Sequence, residues 1–338
     1  MHSRETVGVV GAGSWGTTLA KIVAENGHEV VLWARRPELA AQLNAQRHNP
    51  QYLPQIALPA GVHATAEVQR VCETCRLLLV AVPSHGFRAV AREMAPFLDG
   101  EHVIVHTTKG LEEQTHKRMS EVLREETPVR KIGVLAGPNL APELARGQPA
   151  GTLIASRFGD VFRRAQAALS TSYFRVFSGQ DVIGAEIGGM FKNIVAVAAG
   201  IVDGLGLGDN TKAFLMTRGL NEMARLGVSM GANVLTFGGM AGIGDLVATC
   251  ASPHSRNHQV GVRLGRGESL AEILGQTRMV AEGIRATRAV RAFAAQQRLQ
   301  LPIVHALHRV LYEQTPLDEA MRELVAAQSG DEFMGLML

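Results

Sequence analysis

Val7-Gly8-Val9-Val10-Gly11-Ala12-Gly13-Ser14-Trp15-Gly16 decides how the first half of this chain folds. Residues 7–10 form a short apolar run of strand type, and a G-x-G-x-x-G pattern follows with no spacer. The glycines alone are a weak signal; between a strand and a helix they mark a dinucleotide-binding turn. Gly11 allows the tight turn, Gly13 lets a pyrophosphate approach the backbone, and Gly16 lets the helix pack on the strand, whose amides attract phosphate. The helix is expected over Thr17 to Asn26, with Gly27 closing it. In NAD-preferring sites an acidic residue about 20 positions on accepts bonds from the ribose hydroxyls. Here the second strand ends Leu32-Trp33-Ala34-Arg35-Arg36. Two guanidiniums suit a 2'-phosphate, so NADP(H) is favoured and NAD(H) stays open; the alternative is a pair of solvated arginines at a strand end.

Outward from this turn, short strands alternate with helical patterns. Strands are expected at Glu29 to Ala34, Arg76 to Val82, His102 to Thr107, Lys131 to Ala136 and Thr152 to Ala155, which argues a parallel, doubly wound α/β sheet. From Asp181 the pattern changes to apolar runs of helical period at 182–203, 211–226, 280–298, 303–313 and 317–327. The expected architecture is a Rossmann-type dinucleotide-binding domain over residues 1–180 and an all-helical substrate domain over 181–338. A cleft between them is the natural place for a ligand.

Composition narrows the classes further. The 338 residues are 46% hydrophobic and 19% charged, which excludes a mainly disordered chain. Lys+Arg 34 against Asp+Glu 31 leaves a net charge of +3, too small and too evenly spread for a nucleic-acid binder. Three cysteines cannot staple a secreted fold, so a reducing, cytoplasmic compartment is expected. The first residues do not read as a signal peptide. The apolar stretch 194–202 falls short of the ~18–20 residues that a membrane span needs.

The second half carries the reactive groups. Glu186-Ile187-Gly188-Gly189-Met190-Phe191-Lys192-Asn193 sets two glycines one turn before Lys192 and Asn193, so the lysine is expected beside a bare strip of helix against which a ligand can press. The alternative is a snorkelling cation at a helix end. Asp245 and Thr249 lie four apart on a short helix after Gly242 and Gly244, so a carboxylate and a hydroxyl face the same way. Ser255 is a plausible N-cap for a helix that Arg256 and Asn257 begin, and a helix N-terminus carrying an arginine is an anion site; capping without a ligand is the alternative.

Taken in order, Gly11 to Thr17, Asn49 to Pro54, Val82-Pro83-Ser84, Thr108-Lys109-Gly110-Leu111-Glu112, Gly137-Pro138, Lys192-Asn193, Thr217-Arg218-Gly219-Leu220, Gly244-Asp245-Leu246 and Ser255-Arg256-Asn257 resemble the bacterial-type NAD(P)-dependent glycerol-3-phosphate dehydrogenases. The resemblance covers nearly the whole chain. It departs in small ways: serine is common where Asn139 stands, and Ala-Leu where Met190-Phe191 stand. It implies reduction of dihydroxyacetone phosphate to sn-glycerol 3-phosphate, the backbone precursor of phospholipids. By resemblance, Lys192 is the proton donor and acceptor, Asp245 orients it, Lys109 bridges the reacting oxygen and the cofactor side, and Asn193 and Thr249 complete the polar cage. Arg256 and Asn257 hold the phosphate, with Gly137, Asn139 and Ser255 also at the substrate. Ser14, Trp15, Arg35, Tyr52, Lys109, Ala141, Arg256, Val280 and Glu282 are placed at the cofactor, beside Gly11, Gly13, Gly16 and Arg36. The resemblance also implies a homodimer.

Other features carry less. Cys72-Glu73-Thr74-Cys75 precedes a strand and cannot complete a tetrahedral zinc site, so an ordinary thiol pair is expected. The pairs His102/His106, His254/His258 and His305/His308 lack a third ligand, and no metal is expected. Three competing functions remain. A β-hydroxyacid dehydrogenase uses a Lys-x-x-x-Asn pair, whereas Lys192 and Asn193 are adjacent. A noncatalytic NADPH sensor has no use for Lys192, Asp245 and Lys109 together. A nucleic-acid module is disfavoured by the even charge.

Overall fold

A computed structural model describes residues 4–276 and 281–326. Its ten strands are β1 (Thr6–Val10), β2 (Glu29–Trp33), β3 (His48–Asn49), β4 (Leu53–Ala57), β5 (Val62–Thr65), β6 (Leu77–Val80), β7 (Val103–His106), β8 (Lys131–Ala136), β9 (Ala150–Ala155) and β10 (Phe174–Gly179). The helices of the first half are α1 (Ser14–Glu25), α2 (Pro37–Gln46), α3 (Val68–Thr74), α4 (Ser84–Met94), α5 (Met119–Glu126), α6 (Ala141–Ala145) and α7 (Gly159–Leu169). Those of the second half are α8 (Val182–Gly204), α9 (Asp209–Ser229), α10 (Asp245–Ala251), α11 (Arg256–Gly265), α12 (Leu270–Gln276), α13 (Glu282–Gln297), α14 (Pro302–Tyr312) and α15 (Leu317–Ala326).

By its internal contacts the chain divides into two units, Met1–Thr108 with Arg118–Val182, and Lys109–Lys117 with Ile183–Leu338. The first unit is built on an eight-stranded sheet in the order β10-β9-β8-β7-β6-β1-β2-β5. Strand β1 is central, pairing in parallel with β2 (Val7 opposite Val30) and with β6 (Val7 opposite Leu77). Residues 7–10 are buried, so β1 reads as a continuous apolar run, as a strand covered on both faces must. The connection reverses between β1 and β6, and in such sheets ligands bind at the strands' carboxyl ends at that point. Gly11 stands there.

The sheet is doubly wound, but it is not wholly parallel: β8 and β9 run antiparallel, with Val134 opposite Ala155. Two further strands of this sheet, β5 and β10, escaped the sequence reading. Val62–Thr65 and Phe174–Gly179 are short, interrupted by polar residues, and lie on the two edges, where one face and one row of backbone groups stay uncovered. Helix α1 begins at Ser14, three residues before the expected start, because Gly13 itself caps it.

The second unit is helical. Helix α8 lies in its core with Ile187, Phe191, Ile194, Val195 and Val197 fully buried among residues of the surrounding helices. At 23 residues, with an 18-residue window of mean hydropathy 1.4, it is long and apolar enough to cross a membrane by length and composition, which corrects the shorter run read from the sequence; 89% of that window is buried inside the protein. Helices α8 and α11 cross backbone to backbone, since a Cβ at Gly200 would lie 2.1 Å from the His258 carbonyl oxygen and one at Gly261 2.0 Å from that of Val197.

Candidate active site

The glycine turn in the first unit is tight where it must be and open where a ligand needs room. Gly11 has φ +114°, and a Cβ there would lie 2.6 Å from the Ala81 carbonyl oxygen. A Cβ at Gly16 would lie 1.8 Å from the Gly11 carbonyl oxygen. At Gly13, by contrast, a Cβ would meet nothing within 4 Å, and φ is an ordinary −76°. Helix α1 has no side-chain cap and no acidic residue in its first turn, so its leading amides remain donors for an anion. This open, cation-like cradle fits the pyrophosphate of a dinucleotide.

A buried residue with no assigned role holds the cradle in shape. The Asn49 side chain, fully buried, donates to the Ala12 carbonyl at 3.0 Å and to Thr17 Oγ1 at 2.8 Å, and accepts from the Tyr52 amide at 3.2 Å. Ser14 Oγ donates to the Tyr52 carbonyl at 3.2 Å. Thus the 49–54 segment is tied to the turn through Asn49 and the Tyr52 backbone. Its position inside a family-like motif was the only signal in the sequence. Trp15 packs against the sheet's core. The Ala141 carbonyl accepts from Thr18 of α1 at 3.3 Å. Arg35 and Arg36 are exposed just beyond β2, and Arg36 donates to Gln51. Gly137 takes φ +150° with its α-carbon side against Thr152, to whose Oγ1 Asn139 Nδ2 donates at 2.9 Å. Asn139 Oδ1 is buried and accepts no hydrogen bond from the described residues.

The reactive cluster lies within the helical unit. Lys192 is in the middle of α8 and only 5% exposed, so the helix-end alternative falls away. Its Nζ donates to Asp245 Oδ1 and, at 2.7 Å, to Thr249 Oγ1. Lys109 Nζ donates to the other carboxylate oxygen, Asp245 Oδ2, at 3.0 Å. One carboxylate, 1% exposed, therefore holds two ammonium groups. The run Met240–Gly244 is a π-helical turn that leads into α10 at Asp245, an irregularity of the kind common at functional sites. The bare strip expected beside Lys192 is filled by protein: a Cβ at Gly188 would lie 2.1 Å from the Ala241 carbonyl oxygen. Gly188 brings the 240s turn, and with it Asp245, against α8 instead of leaving space for a ligand.

The two lysines differ electrostatically. Burial drives Lys192 from its ordinary 10.5 down to about 7, the Lys109 charge adding to the effect and Asp245 opposing it. Burial opposes the charge on Lys109 too, but there the attraction of Asp245, with Glu282 contributing, prevails and its pKa is raised. A lysine poised near neutrality beside a permanently charged one can give or take a proton.

Asn193 and Asn257 form a link between helices. Asn257 Nδ2 donates to Asn193 Oδ1 at 2.9 Å, and Asn257 Oδ1 accepts from the Gly283 amide at 2.9 Å. Helix α11 begins as the sequence suggested, with Ser255 Oγ accepting from the His258 amide at 3.3 Å and the exposed Arg256 as its first residue. Glu282 starts α13; Val280 lies outside the described residues.

The secondary candidates have structural roles. Burial pushes the Cys72 and Cys75 thiols up to about 12, leaving them unreactive. His102, which precedes β7 and is not on it, bonds Asp99 at 2.7 Å and the Cys72 carbonyl at 2.9 Å. His258 bonds Asp203 at 2.6 Å.

Residues 6–160 match the family described as NAD-dependent glycerol-3-phosphate dehydrogenase N-terminus, and residues 181–322 match the corresponding C-terminus. A glycerol-3-phosphate dehydrogenase (NAD(P)+) of Moorella thermoacetica is 45% identical, covering 95% of this chain and 96% of the relative. One from Geobacter sp. (strain M21) is 46% identical, covering 95% and 97%. The crystal structure of glycerol-3-phosphate dehydrogenase from Coxiella burnetii superposes with a TM-score of 0.91 at 36% identity, covering 95% of this chain and 99% of that one.

Proposed function

The chain belongs to the NAD-dependent glycerol-3-phosphate dehydrogenase family, and on that premise we propose how its own residues reduce dihydroxyacetone phosphate to sn-glycerol 3-phosphate with NAD(P)H. The product is the backbone unit of phospholipids. The observation that carries the assignment of roles is the Lys192–Asp245–Lys109 cluster, in which a buried carboxylate is shared by two lysines of unequal proton affinity.

A bound nicotinamide dinucleotide supplies the hydride. Its pyrophosphate suits the open backbone over Gly13 and the start of α1, and its 2'-phosphate, when present, suits Arg35 and Arg36. Ser14, Trp15, Tyr52, Ala141, Glu282 and Val280 complete the cofactor set by resemblance. Reduction of a ketone leaves negative charge on oxygen, which needs a proton and a positive neighbour. Lys192 delivers the proton from Nζ, and Lys109 stays charged and stabilises the oxygen. Asp245 and Thr249 hold the Lys192 amine in one orientation, since a hydrogen-bonded base is already in place when the reaction begins. Arg256 and the leading amides of α11, capped by Ser255, hold the substrate phosphate. Asn257 contributes from the same turn, and its bonds to Asn193 and Gly283 favour a role in fixing that turn. Gly137 and Asn139 are assigned to the substrate by resemblance, with the unpartnered Asn139 Oδ1 as an acceptor a ligand hydroxyl can use.

The domain boundary near residue 180, a cytoplasmic location and a homodimer belong to the same proposal. Light scattering should give twice the 36.2 kDa chain mass, and the mass of one chain would end the dimer reading. The experiment that tests the function is NADPH oxidation, followed by absorbance, with dihydroxyacetone phosphate, unphosphorylated dihydroxyacetone and an NADH control. Oxidation that depends on the phosphate is expected. Equal rates with and without it would remove the anion site from the account.

A further inference from the structure

Between Thr108 and Arg118 the chain leaves the sheet unit and packs as part of the helical one, carrying Lys109 with it. Residues 109–117 form a small buckle. The Glu112 amide donates to the Lys117 carbonyl at 2.9 Å, the His116 amide to the Glu112 carbonyl at 2.8 Å, and Thr115 Oγ1 to the Glu112 carboxylate. Besides Lys109 on Asp245, Leu111, Glu113 and His116 fasten it to the helices. Leu111, 5% exposed, enters the hydrophobic core. The Glu113 carboxylate lies 3.8 Å from the Arg285 guanidinium. The His116 ring meets the edge of Phe293 with centroids 6.4 Å apart and planes at 71°. Arg285 and Phe293 are eight residues apart on α13, two turns along one face.

The same helix is registered to the other side of the cluster. The Gly283 amide of its first turn bonds Asn257, which bonds Asn193, the neighbour of Lys192 on α8. Helix α13 therefore sets both the buckle that carries Lys109 and the link beside Lys192. His116 bears costs that a solvated loop residue avoids. It adopts the left-handed conformation with φ +56°, and its Nδ1 is buried without a hydrogen-bond partner among the described residues. Local costs of this kind persist where the surroundings over-determine a conformation, often at functional sites.

We propose that His116, clamped on Phe293 of α13, is a positioning residue that holds Lys109 on Asp245. The inference rests on the roles proposed for Lys192 and Lys109. The groups acting on Lys109 are Asp245 of α10, Lys192 of α8 and Glu282 of α13. If the buckle loosens, Lys109 withdraws from Asp245, and Lys192 loses a neighbouring charge while keeping the carboxylate to itself. Both changes raise its proton affinity.

The test uses the full chain with NADPH and dihydroxyacetone phosphate, comparing His116→Asn, Phe293→Ala and Phe293→Leu. Asparagine tolerates the left-handed backbone but lacks the ring, and leucine keeps apolar contact on α13. A wild-type chain that fails to turn over would sink the functional reading, independently of the variants. With an active wild type, His116→Asn and Phe293→Ala are expected to lower kcat about tenfold to a hundredfold, with NADPH affinity unchanged and the alkaline limb of kcat/KM moved to higher pH. Phe293→Leu should recover most of the loss. Either ring-deleting variant, melting as wild type does and turning over within twofold of it, would overturn the proposal. So would a loss of kcat without movement of the pH limb, or a Phe293→Leu chain as impaired as Phe293→Ala.

Discussion

Gly13 is a glycine that the fold itself does not require, and the proposal assigns the requirement to a ligand. Its backbone is one any amino acid can adopt, and a Cβ there would touch no protein atom. Gly13→Ala should melt with the wild type yet weaken NADPH binding about tenfold or more, read by fluorescence titration; unchanged affinity would place the pyrophosphate elsewhere. Arg256→Ala should raise KM for dihydroxyacetone phosphate about tenfold to a hundredfold, as loss of a charged hydrogen bond does. Steady-state kinetics that return the wild-type KM would dismiss the phosphate role. At Lys192 the direction of the pH effect follows from the proton that the proposal has it give. Because burial brings its pKa down to about 7, reduction should lose rate as pH rises through neutrality, and the reverse oxidation should gain it. These residues were visible in the sequence because each is a reactive or conformational type in a fixed local pattern. Asn49 was not, since its work is done across 32 and 37 residues of chain, on Thr17 and Ala12.

Elements were legible in proportion to the strength of their period. The long helices α8, α9, α13, α14 and α15 each lay within about three residues of the apolar runs that announced them, because a buried stripe repeats over many turns. Strands β5 and β10 were missed because edge strands need cover on fewer sides and carry Arg175 and His63 within them. The crossing of α8 and α11 rests on single glycines, Gly200 and Gly261, which leave no period in the sequence. Gly200→Ala, which drives a methyl group against the His258 carbonyl, should cost about 1–3 kcal/mol in urea unfolding; an unmoved midpoint would mean that the two helices part without penalty. Glu222 of α9 reaches the start of α14, where its two oxygens accept from the Ile303 and Val304 amides at 2.7 and 3.3 Å. Burial raises its pKa from 4.5 to about 8, so the folded state binds a proton that the unfolded chain has released. That stabilisation is complete below pH 4.5 and is lost as pH rises through about 8. The melting temperature of wild type relative to Glu222→Gln should therefore fall between about pH 5 and about pH 9, and a pH-independent difference would show that the carboxylate is charged throughout.

At the scale of the whole chain, the proposal assigns the dinucleotide cradle to the sheet unit and the proton and the anion site to the helical unit. The change from strand-rich to helix-rich pattern near residue 180 was plain in the sequence, because the two periods differ. That Lys109–Lys117 packs with the helices was hidden, because nine residues between a strand and a helix have no period of their own and their partners lie beyond residue 180. The separation of labour makes a direct prediction: a change in the lysine cluster should stop chemistry without disturbing the cradle. The decisive measurement is NADPH oxidation with dihydroxyacetone phosphate by Lys192→Ala, made beside an NADPH titration of the same protein. Turnover should fall about a hundredfold to ten-thousandfold, the usual weight of a positioned acid, while NADPH affinity stays within twofold of wild type. Turnover near the wild-type rate would contradict the assignment of the proton to Lys192 and, with it, the mechanism.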